Sequence, residues 1–349
     1  MSEQFAAILF QFGRINAINR GNVRAWQVHE VSSSFSGLEL REVPVPATDA
    51  NAVLVRVRAA AVNFPDALVV EGTYQVRPNL PFTPGFEAVG DIARVGDNCK
   101  NLHEGERVIC WCEFGAFAEF VATRPEYIFP VPPQMTDAEA AAFLVSYQTA
   151  SFALFRRAQL QRGEVVVVHA GAGALGSAAI QLGKTTGATV IATASNAEKL
   201  AICTKLGADR VFNNTVEFAT PVREATNGLG ADVILDPVGG GVFEQNLKCI
   251  AWEGRLVAVG FTSGVIPSIP VNRILLKNIS LVGIYWSEYW KHAPSKIREV
   301  HQQLSNLYEQ GLLRPLVGKM FSFDELPAAL VAVKSRDNYG KVIISTSPA

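Results

Sequence analysis

Residues 165–194 read VVVVHAGAGALGSAAIQLGKTTGATVIATA. Val165–His169 is a short β-branched run, the pattern of a strand buried on both faces of a parallel sheet. Gly171, Gly173 and Gly176 follow as an unbroken G-x-G-x-x-G. Ala178, Ala179, Leu182 and Gly183 supply the apolar face of a helix, and Thr189–Ala194 is a second strand. A glycine turn at such a place lets the backbone approach a pyrophosphate, whose charge sits among unpaired N–H groups at a helix N-terminus. Set between two strands in a unit of about 30 residues, the motif points to a dinucleotide site, with Ala174 and Leu175 completing the turn.

On the C-terminal side, helices and strands alternate. Ala197–Leu206 reads as helix, Arg210–Asn213 as strand, Phe218–Thr226 as helix and Ala231–Asp236 as strand. Phe243–Ile250 (helix), Gly254–Val259 (strand) and Ser280–Tyr285 (strand) continue the series, the signature of a doubly wound parallel sheet. A helix over Ser295–Gln310 and a strand over Gly340–Ser345 end the chain. The N-terminal side is different. Arg24–His29, Leu38–Val43, Val53–Val62, Ala88–Val95, Val108–Trp111 and Gly115–Ala122 are short strands separated by turns, which argues a barrel-like β domain. Val53–Val62 alternates in its first half as a half-exposed strand does, and three prolines make Pro78–Gly90 an ordered loop. Thr136 reads as the N-cap of a helix, with Gln148–Arg157 a second helix leading into the glycine motif.

The 349 residues suit two domains. Lys and Arg total 31 against 32 Asp and Glu, so nothing suggests a nucleic acid or an anionic membrane as partner. Five cysteines without a paired framework fit a reducing cytoplasm. The most lipid-like run, Val165–Ile180, is interrupted by His169 and three glycines and reads as βα. Met1–Arg24 lacks a secretory apolar core; its arginines resemble a transit peptide, but residues 1–22 read more simply as a short extension.

The motifs VNFPD (Val62–Asp66), PFTPGFEAVG (Pro81–Gly90), GERV (Gly105–Val108), GAFAEF (Gly115–Phe120), LDPVGG (Leu235–Gly240) and LVAVGF (Leu256–Phe261) accompany the glycine turn. With them the chain resembles the medium-chain dehydrogenase/reductase superfamily, and within it the zinc-free NADPH:quinone oxidoreductases of the ζ-crystallin-like branch. The resemblance implies an α/β protein: a Rossmann domain (151–292) inserted into a GroES-like β domain (1–150 plus 293–349), with the active site between them. Family members dimerise by joining Rossmann sheets at an edge, here Ile279–Trp286. The cluster Tyr285, Trp286, Tyr289 and Trp290 reads as core and dimer-interface packing.

Zinc alcohol dehydrogenases of this superfamily place a cysteine and a histidine where this chain has Asn63 and Phe86, neither of them a zinc ligand. The four-cysteine structural loop is also missing, since Cys110 and Cys112 are one residue apart. The expectation is an enzyme without metal. At the end of the second strand, where NAD-binding units carry an acidic residue, stands Ala194, followed by Ser195 and Asn196. Lys199 matches the lysine that binds the 2′-phosphate in the quinone oxidoreductases, and Arg336 an arginine that often joins it, so the cofactor read is NADPH. Read alone, Lys199 is also a solvated helix lysine. At Asn214 the chain departs from the family's tyrosine or histidine beside the adenine. Thr149 matches a threonine that touches the nicotinamide, Gly260 and Phe261 are placed to offer backbone groups to its carboxamide, and Gly239 belongs to the same cofactor set.

No Ser/Tyr/Lys constellation announces itself, so hydride transfer to an electron-poor acceptor, a quinone or an α,β-unsaturated carbonyl, fits best. The resemblance places Asn63 and Tyr74 in the cleft, Asn63 to donate to the acceptor oxygen and Tyr74 to supply or relay a proton. The same two residues also read as a strand-end asparagine and a cleft-wall aromatic. Leu68 replaces a family tyrosine and makes the pocket more apolar. Two other readings stand beside this one. An enoyl-thioester reductase would use Arg77, Arg273 and Lys291 for a phosphate arm, and an NADPH-binding structural protein would have little turnover.

Overall fold

The structure, a computed structural model, describes residues 21–346. The extension read at residues 1–22 therefore lies, through residue 20, outside the described residues. β1 (Asn22–Val28) and β2 (Leu38–Pro44) pair with each other. β3 (Val53–Val62) leads through α1 (Phe64–Val70) to β4 (Glu87–Val95), β5 (Arg107–Trp111), β6 (Phe120–Thr123) and β7 (Ile128–Pro130). After α2 (Asp137–Ser151) come β8 (Val165–Val168), α3 (Ala174–Thr186), β9 (Thr189–Ala194), α4 (Ala197–Lys205), β10 (Arg210–Asn213) and α5 (Ala219–Ala225). β11 (Ala231–Asp236), α6 (Gly240–Cys249), β12 (Ile250–Ala258), α7 (Val271–Lys277) and β13 (Ser280–Gly283) follow. α8 (Tyr289–His292), α9 (Pro294–Glu309), β14 (Val317–Ser322), α10 (Leu326–Ser335) and β15 (Lys341–Ser345) complete the described chain.

Strands β8 to β13 form a six-stranded sheet in the order β10-β9-β8-β11-β12-β13, parallel throughout. This is the doubly wound order, reversing at β8, where the glycine turn lies. Val166 and Val168 belong to the core shared with α2, α3 and α9, whereas Val167 belongs to the core under α5 and α6. The uninterrupted apolar reading of β8 thus has a physical cause: both faces are covered. The second sheet, the GroES-like β domain, runs β14-β15-β3-β4-β5-β7 with β6 on β3. The C-terminal strand β15 enters beside β3, with Val342 opposite Val62.

Several local expectations are corrected. The two helices read after Thr136 are one: α2 runs on into a π-helical turn, Phe152–Arg157, without a break. Gln148, read as the start of the second helix, is buried and donates to the Ile297 carbonyl at 2.9 Å. Thr136 does cap α2, accepting the Glu139 N–H at 3.2 Å while the Glu139 carboxylate accepts the Thr136 N–H at 2.9 Å. β3 keeps the alternation read in its first half, with Arg56 exposed and Arg58 half-exposed between buried neighbours, whereas its second half, Ala59–Val62, is buried where β15 pairs with it. The strand read at Gly115–Ala122 shortens to β6, since Gly115 sits at φ 109°, outside the extended region. Strands β7 and β14 and helices α1, α7 and α10 were not read from sequence. In α1 and α10 a proline at the first turn, Pro65 and Pro327, starts the helix instead of breaking it.

Gly176 shows how closely the turn is packed. A Cβ there would lie 2.2 Å from the Ala170 carbonyl oxygen and 2.7 Å from the Gly171 Cα, backbone atoms that have nowhere to go. Gly176→Val is expected to lower stability by about 1–3 kcal/mol in urea unfolding. Gly241→Ala, with no atom within 4 Å of the added Cβ, should stay within about 0.5 kcal/mol of the parent.

Candidate active site

The glycine turn closes onto the GroES-like domain. Gly340 donates its N–H to the Ala172 carbonyl at 2.7 Å, and Gly173 and Gly340 form a parallel bridge. Gly173 caps α3, and a Cβ on it would meet only the Ala170 carbonyl oxygen, at 3.2 Å, so space is left in front of the helix N-terminus. Ala174 and Leu175 open that helix. Ala194 ends β9 and accepts the Asn214 N–H at 3.1 Å. Ser195 and Asn196 are exposed beyond it, and the Asn196 side chain caps α4 by accepting the Lys199 N–H at 2.9 Å. The Lys199 ammonium donates to the Arg336 carbonyl, and the Arg336 guanidinium donates to the Thr262 carbonyl at 2.6 Å. Lys199 and Arg336, distant in sequence, thus stand side by side at the far end of the turn. Gly239 (φ 69°) abuts Phe261, which lies 3.1 Å from where its Cβ would be, and the Thr262 N–H donates to the Pro237 carbonyl. Gly260 and Phe261 line this loop, and Thr149 is half-buried near the end of α2.

Beneath these loops a polar chain crosses the strand ends. Asn246 donates to the Asp236 carboxylate at 3.0 Å and so offers its oxygen to His169 Nε2, 2.6 Å away. His169 Nδ1 then accepts from the Thr193 hydroxyl at 2.7 Å. Burial lowers the His169 pKa, so the ring is neutral and carries its proton on Nε2. Asp236 also accepts the N–H groups of Val238 and Gly239 at 2.7 and 2.9 Å, which ties the chain to the loop of Gly239.

Across the glycine turn lies a cluster around Asn63. Its Nδ2 donates to Glu87 Oε1 at 3.1 Å, and its Oδ1 accepts from the Lys341 ammonium at 2.6 Å. Lys341 pairs with Glu87 Oε1 at 2.7 Å and donates to the Ser146 hydroxyl at 3.2 Å, which engages all three of its N–H groups. The other Glu87 oxygen accepts the Val145 N–H at 2.8 Å. Glu87 is 0% and Lys341 2% exposed. Asp66, also fully buried, accepts the Asn63 N–H on Oδ2 at 2.7 Å, while its Oδ1 has no partner. Burial pushes the Asp66 carboxyl up to about 7, against the restraining hydrogen bond from Asn63 and the nearby Lys341 charge.

Tyr74 lies beside Tyr285; burial, reinforced by Tyr285, raises the Tyr74 phenol well above its ordinary range, so it keeps its proton. Its ring packs on Phe86 at 6.2 Å between centroids. Of the cluster read as core and dimer-interface packing, Trp286 and Trp290 lie in the core, buried against Trp111 and Tyr127, and Tyr285 is exposed in the single chain. Sequence reading missed Glu87, Lys341, Ser146 and Asp66. A signal existed for Lys341, the one charged residue of β15, but not for Glu87, since β4 also carries Asp91 and Arg94. Arg273 and Lys291, considered for a phosphate arm, are engaged by Glu244 and Glu288 in exposed ion pairs.

Among the described residues no group of three or more His, Cys, Asp or Glu could hold a metal ion. The "Zinc-binding dehydrogenase" family nevertheless matches residues 174–306, and the "Alcohol dehydrogenase GroES-like domain" residues 49–133. The chain is 39% identical to "Quinone oxidoreductase-like protein 2 homolog" of Nematostella vectensis over 84% of this chain and 81% of that one. Among solved structures, the quinone oxidoreductase of Thermus thermophilus, determined also as its complex with NADPH, superposes with a TM-score of 0.81 at 35% identity, covering 92% of this chain and 99% of that one. The CurK enoyl reductase superposes with a TM-score of 0.85 at 27% identity, covering 93% and 99%.

The raised Asp66 pKa carries a signed consequence. The stability this group contributes is fully present below its ordinary value of 3.8 and is lost as pH rises through about 7. Asp66→Asn retains an oxygen for the Asn63 N–H and removes the titration. Urea unfolding between about pH 4 and 8 should show the wild type losing ground to the variant as pH rises. Parallel pH profiles for the two proteins would refute the assignment.

Proposed function

From the premise that the chain belongs to the zinc-free quinone oxidoreductase branch of the medium-chain dehydrogenase/reductase superfamily, and is an oxidoreductase, we propose that it reduces a quinone or an α,β-unsaturated carbonyl with NADPH, without metal. The observation that carries this reading is the Gly340–Lys341 step of β15. Gly340 touches the glycine turn and Lys341 touches Asn63, so the dinucleotide turn and the polar wall of the cleft are held one residue apart.

Gly173, Ala174 and Leu175 would receive the pyrophosphate at the N-terminus of α3, and Lys199 with Arg336 the 2′-phosphate, where no carboxylate opposes it. Gly239, Gly260 and Phe261 would border the nicotinamide with Thr149. When bound, the cofactor supplies a hydride. Asn63 donates to the acceptor oxygen on which negative charge grows, and Tyr74, kept protonated beside Tyr285, holds the proton that this oxygen needs. With Asn63 and Phe86 at the positions of zinc ligands, the acceptor must itself be electron-poor, as quinones and enones are.

The same reading extends to assembly and place. β13 is the outer strand of the parallel sheet, and beside it α7 buries none of its residues although Val271, Leu275 and Leu276 are each more than 70% exposed. A second copy of this chain joined edge to edge would cover them. The five cysteines are free and buried, in keeping with a reducing cytoplasm, and no helix among the described residues is long and apolar enough to cross a membrane.

The test is oxidation of NADPH against NADH by chelator-treated protein, with a quinone, a simple enone and an enoyl-CoA as acceptors. Turnover selective for NADPH and indifferent to chelation is the expected result, and preference for enoyl-CoA would move the substrate to thioesters. Lys199→Ala should raise the KM for NADPH about tenfold or more while leaving that for NADH unchanged. Activity restored only by zinc would overturn the reading.

A further inference from the structure

We propose that Lys341 and Glu87 are positioning residues for Asn63, holding its carboxamide in one orientation so that a single free N–H meets the acceptor oxygen. The inference rests on the reading above, in which Asn63 faces the acceptor. An asparagine amide has two faces of opposite polarity and turns between them at little cost unless its partners forbid it. An acceptor carbonyl is stabilised by the NH2 end and repelled by the oxygen end.

Here the partners are of opposite kinds. An ammonium has donors only and a carboxylate has acceptors only. Lys341 lies 2.6 Å from Asn63 Oδ1, and Glu87 lies 3.1 Å from Nδ2. Turning the amide over would put its NH2 against the ammonium and its oxygen against the carboxylate. Both contacts would be repulsive, at a place where solvent does not reach Glu87 and barely reaches Lys341. The two ions are themselves fixed. Glu87 is held by the Val145 N–H and Lys341 by the Ser146 hydroxyl, so strands β4 and β15 and helix α2 all converge on the amide. Nδ2 carries two hydrogens, and Glu87 takes one. The other has no acceptor among the described residues, and Asn63 is half-buried. A buried ion pair adds little stability over an apolar pair of equal volume, so stability alone does not account for it.

The experiment is a mutant cycle on the full chain, read as kcat/KM for the best acceptor with NADPH binding and melting temperature measured on every variant. Asn63→Ala is expected to lower kcat/KM about 100-fold, the cost of a lost oxyanion donor. Glu87→Gln/Lys341→Met removes both charges without leaving one alone, and should lower it about tenfold or more with NADPH affinity unchanged. Combined with Asn63→Ala, the charge-free pair should cost nothing further, within about threefold. A pair that costs the same factor with or without Asn63, or that leaves kcat/KM untouched, overturns the inference. Should the charge-free pair not fold, Lys341→Arg is read in the same cycle with the same criterion. A wild type silent on quinone, enone and enoyl-CoA would instead overturn the proposed function, and this inference with it.

Discussion

The Glu87–Lys341 ion pair joins β4 to the C-terminal strand β15 inside the GroES-like domain. Taking both charges out of water is costly, and the cost is offset only where every remaining donor and acceptor finds a partner. Here each does. Lys341 spends its three N–H groups on Glu87, Asn63 and Ser146, while Glu87 accepts from Lys341, Asn63 and Val145. Those bonds dictate much around them. β15 must lie beside β3, α2 must present its Val145–Ser146 step, and α1 must begin where Asn63 can reach both ions.

One residue before Lys341, Gly340 donates to the glycine turn. Two adjacent residues at the start of β15 therefore reach both sides of the candidate site. On the dinucleotide side, the chain Thr193–His169–Asn246–Asp236 plays a comparable part, with the proton on each link set by its neighbour. It joins β9, β8, α6 and β11 and ends on backbone groups of the Gly239 loop. Both networks are buried and polar; one ends on the amide of Asn63, the other on the loop of Gly239.

Local pattern made the parallel sheet legible. β9 and β11 lie where apolar runs and turn residues placed them, as strands covered on both faces read, and the edge strand β10 lies where the alternation of elements put it. The strands around Val53–Val62 were harder. The alternation of the first half holds at Arg56 and Arg58, but the apolar second half, Ala59–Val62, found its neighbour in β15, more than 270 residues later. α7 escaped notice because a helix that buries none of its residues has an exposed apolar face that imitates a buried one. The aromatic cluster was read as a unit, yet tertiary packing divides it, sending Trp286 and Trp290 inward and Tyr285 to Tyr74.

By itself the sequence determined the glycine turn, the doubly wound order that follows it, the absence of a cysteine and a histidine at the positions of Asn63 and Phe86, and the lack of an acid after β9. Each depends on residues near one another in the chain, where spacing and side-chain chemistry suffice. Tertiary structure alone decided that Tyr74 lies beside Tyr285 and that Glu87 and Lys341, from strands far apart in the chain, are partners. The local sequence around a buried charge does not name its partner. Its partner is chosen by strand register, which sets Val342 opposite Val62 and so brings Lys341 to Asn63.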